Sequence, residues 1–215
     1  MTPATSPLLR HCIDAMAVSG ILVAHRLIAA GDEQALLPEE YEAFARSVLK
    51  VRRASGAARI VARELLQQLG APPHSIPKSA SGAPVWPNGI AGSLAHASEV
   101  AVAAVAMAHD FASVGIDVEP AGALDADLLE IVATADERRA IGTDAGRARV
   151  LFCIKEAVYK AVYPLDRIFL DHHDVEVNLA TASASVRNGR TVSFRYCEAT
   201  HIVALAYIPA TPRGP

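Results

Sequence analysis

The stretch VLFCIKEAVYKAVYP, residues 150–164, places three charges in an apolar segment, and its periodicity predicts a helix that ends at Pro164. On such a helix Glu156 and Lys160 share a face, and Lys155 lies roughly a quarter-turn away. The rest of the circumference is apolar, which predicts a mostly buried helix with one narrow polar wedge. The wedge is either a solvent-exposed Glu–Lys pair or the wall of a cleft that binds an anion.

The segment GIDVE, residues 115–119, predicts a strand with Asp117 and Glu119 on the same face. Two carboxylates on one face repel each other unless a cation lies between them. An oxygen-only pair suits Mg²⁺ or Mn²⁺ rather than zinc, and Glu156 is the candidate for a third carboxylate. The alternative is that the pair occupies the polar side of a half-exposed strand.

The bulk composition is that of a globular protein with one large domain or two small ones. The chain has 215 residues, of which 52% are hydrophobic and 20% charged, and its formal net charge is −3. That charge excludes a general attraction to nucleic acid or to anionic membranes, so neither is expected as a partner. No apolar run reaches the roughly 18 residues of a membrane span, and no signal-peptide core is evident, so a cytoplasmic location is expected.

The three cysteines, Cys12, Cys153 and Cys197, are odd in number and far apart. This spacing predicts neither a disulfide framework nor a zinc site, and it favours a reducing compartment.

Hydrophobic periodicity and turn residues predict helices and strands along the whole chain. The expected helices are 37–51, 55–70, about 124–141 and about 144–163, the last capped by Asp144. A strand is expected over 19–27, a long loop over 71–92, and a hairpin from 99–108 and 111–120. Near the end of the chain Asn188–Gly189 predicts a second hairpin. The pattern predicts an α+β fold with two pseudo-symmetric subdomains, 1–108 and 109–215, each an antiparallel sheet packed with helices.

Two groups of residues could bind phosphate. In NGIAGSLAHAS, residues 88–98, the backbone near Gly89 and Gly92 is accessible, and Ser93 and His96 lie at the entrance of a strand. A structural hydrogen bond is the alternative role for this histidine. Upstream, cations cluster on the second predicted helix and its flanks, where a solvated helix face is the alternative; they are Arg52, Arg53, Arg59, Arg63 and Lys78.

Taken in order, four segments resemble the Sfp-type 4′-phosphopantetheinyl transferases, and most of all the branch associated with enterobactin synthesis. The resemblance covers about residues 37–165, and its most specific part is the order and spacing of GIDVEP and FCIKEAVYKA. The four segments are ARIVARELLQQLGAP, IPKSASGAPVWPNGIAGSLAHAS, GIDVEP and FCIKEAVYKAVYP.

The resemblance implies an enzyme that moves the phosphopantetheine arm of coenzyme A onto a serine of an acyl or peptidyl carrier protein. The carrier changes from apo to holo form, and adenosine 3′,5′-bisphosphate is released. It also implies that the active site lies between the two subdomains. The carrier class, whether fatty-acid, polyketide or nonribosomal peptide, stays open, and the usual state of the branch is a monomer.

The resemblance also implies roles for individual residues. Asp117, Glu119 and Glu156 would be the metal ligands, for Mg²⁺ or Mn²⁺. Residues that would contact coenzyme A are Lys155 and Lys160 at the pyrophosphate, Ser93 and His96 at a phosphate, and Arg59 and Lys78 near the 3′-phosphate and adenine.

The chain departs from the family pattern at three positions. Phe152 stands where tryptophan is usual, and Ala95 stands where a hydroxyl is frequent. Val51 stands where an arginine is expected, so Lys50, Arg52 or Arg53 would have to replace it.

The expected mechanism is attack by the serine hydroxyl on the β-phosphorus of coenzyme A. Glu156 would act as the base, with Lys160 and Asp117 as the other catalytic residues. Carrier proteins are usually acidic, so a basic docking surface is expected from Arg138, Arg139, Arg147 and Arg149. The alternatives are a magnesium-dependent phosphohydrolase and a non-catalytic coenzyme A-binding module.

Overall fold

A computed structural model describes residues 5–72 and 74–211, which form two antiparallel sheets packed with helices. The expected α+β class is therefore confirmed. Within the described residues, no helix is both long and apolar enough to cross a membrane.

The first sheet has three strands in the order β1-β3-β2. They are β1 (Ile21–Leu27), β2 (Ile90–Ala97) and β3 (Val100–Met107). The helices that precede and cover this sheet are α1 (Pro7–Ala15), α2 (Pro38–Tyr41) and α3 (Leu49–Gln68). Because α3 begins at Leu49 and α2 is a single turn, the expected division into helices 37–51 and 55–70 is wrong. A face of small residues near Gly56 is buried, which lets α3 lie close to its neighbours.

Two expectations near β2 and β3 are wrong. Residues 90–97 form a strand paired with β3, so the long loop expected over 71–92 ends at residue 89 and Gly92 lies within a strand. The segments 99–108 and 111–120 do not form a hairpin, because β3 pairs with β1 and β2 while the next strand joins the other sheet. The turn at His109–Asp110 instead leads from one sheet to the other.

The second sheet has five strands in the order β4-β8-β7-β6-β5. They are β4 (Phe111–Pro120), β5 (Val175–Asn178), β6 (Ser183–Val186), β7 (Thr191–Glu198) and β8 (His201–Pro209). The hairpin predicted at Asn188–Gly189 is confirmed, since β6 and β7 pair on either side of it. Gly189 there has a φ of 86°, which glycine adopts without strain.

Three helices cover the second sheet. They are α4 (Ala126–Val132), α5 (Ala135–Ile141) and α6 (Ala145–Asp166), so two short helices replace the single one expected over 124–141. Asp144 caps α6 as predicted, accepting a hydrogen bond from the Arg147 amide at 3.0 Å. The helix does not end at Pro164 but two residues later, since proline lacks only its own amide donor and its fixed φ is compatible with a helix.

The helix α6 lies directly on β4. A Cβ atom added to Gly115 would collide with the backbone of Ala157 and Ala161, so only glycine permits this close approach. The approach brings the acidic end of β4 under the polar side of α6. The two sheets are also linked here, since the Ile116 amide donates to Ser93 Oγ at 3.0 Å.

Helix α1 and a disulfide were not predicted. Ser6 caps α1 and Pro7 occupies its first position, which is a favourable start. Cys12 on α1 and Cys197 on β7 form a disulfide, with their Cα atoms 5.7 Å apart, so the expectation of no disulfide is wrong. The reason is that folding brings together residues separated by 185 positions, which spacing alone cannot reveal.

Candidate active site

Asp117 on β4 is the most enclosed of the predicted site carboxylates, with 6% of its surface exposed. Its Oδ1 accepts a hydrogen bond from Lys160 Nζ at 2.6 Å. Its Oδ2 is buried and has no hydrogen-bond partner among the residues that the structure describes. A buried carboxylate oxygen without a donor is costly, which makes this atom the first candidate for a ligand contact.

Glu156 lies on the same side of α6 as Lys160, as predicted. Its Oε1 is 3.1 Å from His172 Nε2, and this hydrogen bond lowers the pKa of Glu156, with a further lowering from the charge of Lys160. Burial raises the pKa of Asp117, Lys160 opposes that rise, and the negative charge of Glu156 adds to it. The two carboxylates therefore repel each other, and Lys160 attracts both.

Glu119 has a cationic partner of its own. Its Oε2 accepts a hydrogen bond from Arg149 Nη1 at 3.1 Å. Burial raises the pKa of Glu119, and the neighbouring Asp117 raises it further. Arg149 also donates to the Ala123 carbonyl at 2.9 Å, so it belongs to the acidic centre and not to a free docking surface as expected.

The expected cluster of three carboxylates around one metal is not assembled. In the described parts of the chain, no group of three or more His, Cys, Asp and Glu side chains is arranged to hold a metal ion. The reason is that each carboxylate is already paired, Asp117 with Lys160, Glu119 with Arg149 and Glu156 with His172. The donor set is still oxygen-only, and Asp117 Oδ2 is the kind of atom that Mg²⁺ or Mn²⁺ binds, so these residues fit a hard divalent ion.

The ammonium group of Lys155 is bound inside the protein, so this structure does not place it as the expected pyrophosphate ligand. The side chain is 1% exposed, and its ammonium group donates to Glu137 Oε2 at 2.7 Å, to the Val132 carbonyl at 2.9 Å and to the His172 carbonyl at 2.8 Å. All three ammonium protons are thus used inside the protein. Because Lys155 lies about a quarter-turn from Glu156 on α6, its side chain enters the core.

His96 on β2 is affected by the charges of three other predicted coenzyme A ligands. Loss of water around its ring lowers the pKa of His96, and the charge of Lys160 lowers it further. Smaller contributions in the same direction come from Lys78 and Arg59. Because each of these charges acts on His96, the four predicted coenzyme A ligands lie in one electrostatic neighbourhood.

Arg59 and Lys78 approach the same aromatic ring. The Arg59 guanidinium carbon and Lys78 Nζ each lie 5.0 Å from the centre of the Phe44 ring, a cation–π arrangement. Arg59 is buried, and its Nε donates to the Ile76 carbonyl at 2.9 Å. Lys78 is exposed and is the more available of the two for a ligand.

The remaining predicted contacts are held by the protein itself. Arg53 Nε donates to Glu33 Oε2 at 3.1 Å, and Arg52 Nη1 lies 3.4 Å from the Tyr41 hydroxyl. Ser93 is buried, and its hydroxyl oxygen accepts the hydrogen bond that links the two sheets. Its expected role at a phosphate is thus replaced, in this structure, by a structural one.

Two cavities meet at Tyr159 of α6, which lines both. The larger, about 560 Å³, is lined by the 79–86 segment, by Ser93 and by Lys160. The smaller, about 290 Å³, has mainly apolar walls that include Ile131 and Phe169, and it contains Glu156 and His172. Lys160 and Glu156 therefore open towards neighbouring cavities from one helix.

The other arginines expected to dock a partner lie on or near the surface before α6. Arg139 pairs with Asp136, and Arg147 lies 3.5 Å from Asp144. Arg138 Nη1 donates to the Ala133 carbonyl at 2.8 Å.

Three structurally important residues were missed by sequence reasoning: Glu40, Glu137 and His172. The sequence Thr134-x-x-Glu137 is a capping box, and this signal could have placed Glu137 at a helix start. Nothing in the local pattern marks His172 as a neighbour of Glu156, because 16 residues separate them.

Comparisons with known proteins match both halves of the chain to one family. The family model described as "4′-phosphopantetheinyl transferase N-terminal domain" matches residues 39–106, and the model of the 4′-phosphopantetheinyl transferase superfamily matches residues 113–206.

Three curated relatives are similar over most of the chain. The 4′-phosphopantetheinyl transferase Npt of Nocardia iowensis is 39% identical over 155 residues, which cover 71% of this chain and 70% of that protein. Svp of Streptomyces mobaraensis, with the same enzyme name, is 38% identical over 173 residues, covering 77% and 70%. PptT of Mycobacterium tuberculosis, also so named, is 40% identical over 161 residues, covering 73% and 70%.

Proposed function

This chain belongs to the 4′-phosphopantetheinyl transferase superfamily and is an enzyme of that class, and on this premise we propose how its site works. The family moves the phosphopantetheine arm of coenzyme A onto carrier proteins. We propose that this enzyme transfers the arm to a carrier serine, converts the apo carrier to the holo form and releases adenosine 3′,5′-bisphosphate. The finer assignment, to the Sfp-type transferases and their enterobactin-associated branch, is also a proposal and rests on the GIDVEP and FCIKEAVYKA motifs.

Coenzyme A is proposed to bind beside the four predicted ligands Lys160, His96, Lys78 and Arg59. Its phosphates would lie near Lys160 and His96, and its 3′-phosphate end near Lys78 and Arg59. Two observations support one anion-binding region: the charges of Lys160, Lys78 and Arg59 all lower the pKa of His96, and Arg59 and Lys78 both lie 5.0 Å from the centre of the Phe44 ring. The larger cavity, which contains Lys160, is the proposed entry for the nucleotide and pyrophosphate part.

The uncharged arm of coenzyme A is proposed to enter the smaller cavity. Its walls are mainly apolar, and Glu156 lies within it. An arm bound there would place the adjacent phosphorus near the boundary of the two cavities, where Lys160 and Glu156 lie on either side of Tyr159.

A divalent ion, Mg²⁺ or Mn²⁺, is proposed to bind to Asp117, Glu119 and Glu156. When bound, such an ion supplies Lewis-acid stabilisation of charge on the pyrophosphate oxygens. The observation that supports it here is the buried Asp117 Oδ2, which has no partner among the described residues.

Glu156 is proposed to accept the proton of the carrier serine. The serine oxygen forms a bond to the β-phosphorus of coenzyme A, and the bond from that phosphorus to the bridging oxygen breaks, leaving adenosine 3′,5′-bisphosphate. Lys160 would stabilise the negative charge that develops on the leaving oxygens. The hydrogen bond from His172 lowers the pKa of Glu156, so the carboxylate is ionised and has an oxygen free to accept a proton.

The division into subdomains 1–108 and 109–215 remains a proposal, as do the monomeric state and the cytoplasmic location. The two sheets, each covered by one long helix, support the division. The Cys12–Cys197 disulfide argues for testing the location directly, because disulfides are rare in reducing compartments.

The observation that carries the proposed function is the contact of Asp117 with Lys160, where Lys160 lines the larger cavity and Glu156, one turn earlier on α6, lines the smaller one. The test is incubation of the protein with coenzyme A, Mg²⁺ and a panel of apo carrier proteins, followed by intact mass spectrometry. A gain of about 340 Da on a carrier is expected, the mass of the transferred group. Asp117→Asn should abolish the gain, while Asp110→Asn, at an exposed turn, should not.

The controls separate the alternatives. Hydrolysis of coenzyme A without any carrier would indicate a phosphohydrolase, and binding of coenzyme A without modification of any carrier would indicate a binding module. Either result would contradict the proposed transfer.

A further inference from the structure

We propose that His172 is a positioning residue that fixes the orientation of the Glu156 carboxylate. This inference rests on the proposed role of Glu156 as the group that takes the serine proton. His172 Nε2 lies 3.1 Å from Glu156 Oε1, and the two side chains are 26% and 31% exposed. They share the smaller cavity, so the contact is at the site and accessible to substrate.

The imidazole ring is held against an aromatic neighbour. His172 stacks on Phe152, with ring centres 5.4 Å apart and an angle of 28° between the planes. Phe152 and Glu156 are four residues apart on α6, so they share a face of the helix. The stack therefore places the imidazole beside Glu156 and restricts its rotation.

The backbone of His172 is also anchored. Its carbonyl accepts a hydrogen bond from the buried Lys155 ammonium at 2.8 Å, and Lys155 is in turn bonded to Glu137. The turn around His172 is closed by the Asp171 amide, which donates to Asp174 Oδ2 at 2.8 Å. A fixed backbone and a stacked ring leave the imidazole little freedom to move.

The chemistry of the contact follows from the donor and acceptor. Glu156 is an acceptor when ionised, so Nε2–H donates to Oε1, and the carboxylate plane is fixed. Oε2 is then the oxygen that can take the serine proton. An orienting partner of this kind typically contributes through geometry, because a displacement of about 1 Å at a reacting group can cost roughly 10²-fold in rate.

The test compares side chains at position 172 that differ in length and in whether they carry a hydrogen-bond donor. Gln can place an amide N–H close to the position of Nε2, whereas Asn is too short, and Phe keeps the stack on Phe152 but has no donor. The variants are His172→Gln, His172→Asn and His172→Phe. His173→Phe is the matched control, because the ring of this neighbour lies 2.9 Å from the Glu130 carbonyl oxygen and is exposed.

The kcat of carrier modification should fall roughly 10- to 100-fold in the Phe and Asn variants. It should stay within about threefold of the wild type in the Gln variant, a rescue that a purely space-filling role would not produce. The KM for coenzyme A should change little in all of them. The His173 control should match the wild type.

A second measurement does not depend on turnover. Mn²⁺ alone is titrated into each protein, and free Mn²⁺ is followed by electron paramagnetic resonance, with Glu156→Gln as the reference for a lost ligand. Binding should weaken about tenfold in the Phe and Asn variants, the usual effect of removing a residue that orients a ligand. The Gln variant should bind like the wild type.

The outcomes separate this proposal from the proposed function. Failure of the wild type to modify any carrier would remove the proposed function itself. If the wild type is active and Glu156→Gln is not, a Phe variant within about twofold of wild-type kcat would overturn the role of His172 alone. Equal Mn²⁺ affinity in all the His172 variants and the wild type would overturn it as well. If the Phe variant does not fold, the Gln and Asn pair decides by the same criteria.

Discussion

The helices α3 and α6 each direct cations towards a buried glutamate of a short neighbouring helix. In the first half of the chain, Glu40 is 0% exposed and accepts from the Leu37 amide, the Ile76 amide and Arg63 at 2.7–2.9 Å. In the second half, Glu137 is 5% exposed and accepts from the Thr134 amide, the Val177 amide and Lys155 at 2.7–2.8 Å.

The two halves differ in the residues that the long helix, α3 or α6, carries beside its buried ion pair. The residue after Lys155 is Glu156, and Lys160 follows one turn later. Glu156 lines the smaller cavity, as Lys155 does, but Lys155 makes its hydrogen bonds inside the protein. Lys160 lines the larger cavity and donates to the incompletely paired Asp117. The comparison teaches that a charge with all its hydrogen bonds made inside the protein belongs to the scaffold. A charge beside an unpaired atom and a cavity belongs to the site.

The scaffold assignment of Lys155 predicts the largest loss of stability. Lys155→Met leaves Glu137 buried and without its cation, which should cost about 3–5 kcal/mol of unfolding free energy. Chemical denaturation measures this, and Lys50→Met, at an exposed position of α3, is the control and should stay within about 0.5 kcal/mol of the wild type. A stable Lys155→Met protein with lost transfer activity would instead make Lys155 a phosphate ligand.

The disulfide between α1 and β7 connects the two halves that the comparison separates. Reduction, or Cys12→Ser, should lower the unfolding free energy by about 2–4 kcal/mol, because the link closes a long loop in the unfolded chain. Denaturation with and without reductant measures this, and Cys12→Ser should no longer respond to reductant. With the link, alkylation of the unfolded but unreduced protein followed by mass spectrometry should find one free thiol, that of Cys153, and three free thiols would contradict the link.

Lys160 provides the counterpart of Lys155 on the same helix. Lys160→Met should lower the rate of carrier modification roughly 10²-fold, as expected for loss of one group that stabilises developing charge. Its stability should fall less than that of Lys155→Met, because Lys160 is 28% exposed. Steady-state kinetics and denaturation measure this difference between the two variants. Equal losses of stability would contradict the assignment of Lys155 to the scaffold and of Lys160 to the site.

The smallest expected effect is the pH dependence of stability that arises from His25, in the first half of the chain. Burial lowers the pKa of His25, nearby Arg10 lowers it further, and its Nε2 accepts a hydrogen bond from the Ser6 amide at 3.0 Å. Below pH about 6.5 the unfolded chain therefore binds more protons than the folded one, so stability falls as the pH decreases. His25→Gln should reduce this slope by at most about 1.4 kcal/mol per pH unit.

The matched control for this effect is His109→Gln, whose side chain is 63% exposed. Denaturation curves between pH 5 and 8 should show the wild-type slope for the His109 variant. An unchanged slope in the His25 variant would show that the acid sensitivity arises elsewhere.

Local patterns in the sequence were sufficient for much of the fold. The periodicity of α6, the cap at Asp144 and the Asn188–Gly189 hairpin are short-range signals, and the structure has all three. Strand alternation likewise placed Asp117 and Glu119 towards one site. These features depend on residues close together in the chain, which is why the sequence reveals them.

What the sequence could not show depends on long-range contacts. Lys155 is buried because it bonds Glu137, and Cys12 is paired because the fold brings it to Cys197. The strands β3 and β4 belong to different sheets because their pairing partners lie far along the chain. The segment 90–97 contains three alanines, a glycine and a serine, which are residues with weak strand preference, and pairing with β3 overrides that preference.

The most direct test of the polar face of α6 as a catalytic site is the rate of carrier modification by Glu156→Gln, measured beside its melting temperature. Transfer should fall by about 10²- to 10⁴-fold, the contribution of a general base, with the melting temperature little changed because the side chain is half-buried at the cavity. Transfer near the wild-type rate by the folded variant would contradict the account.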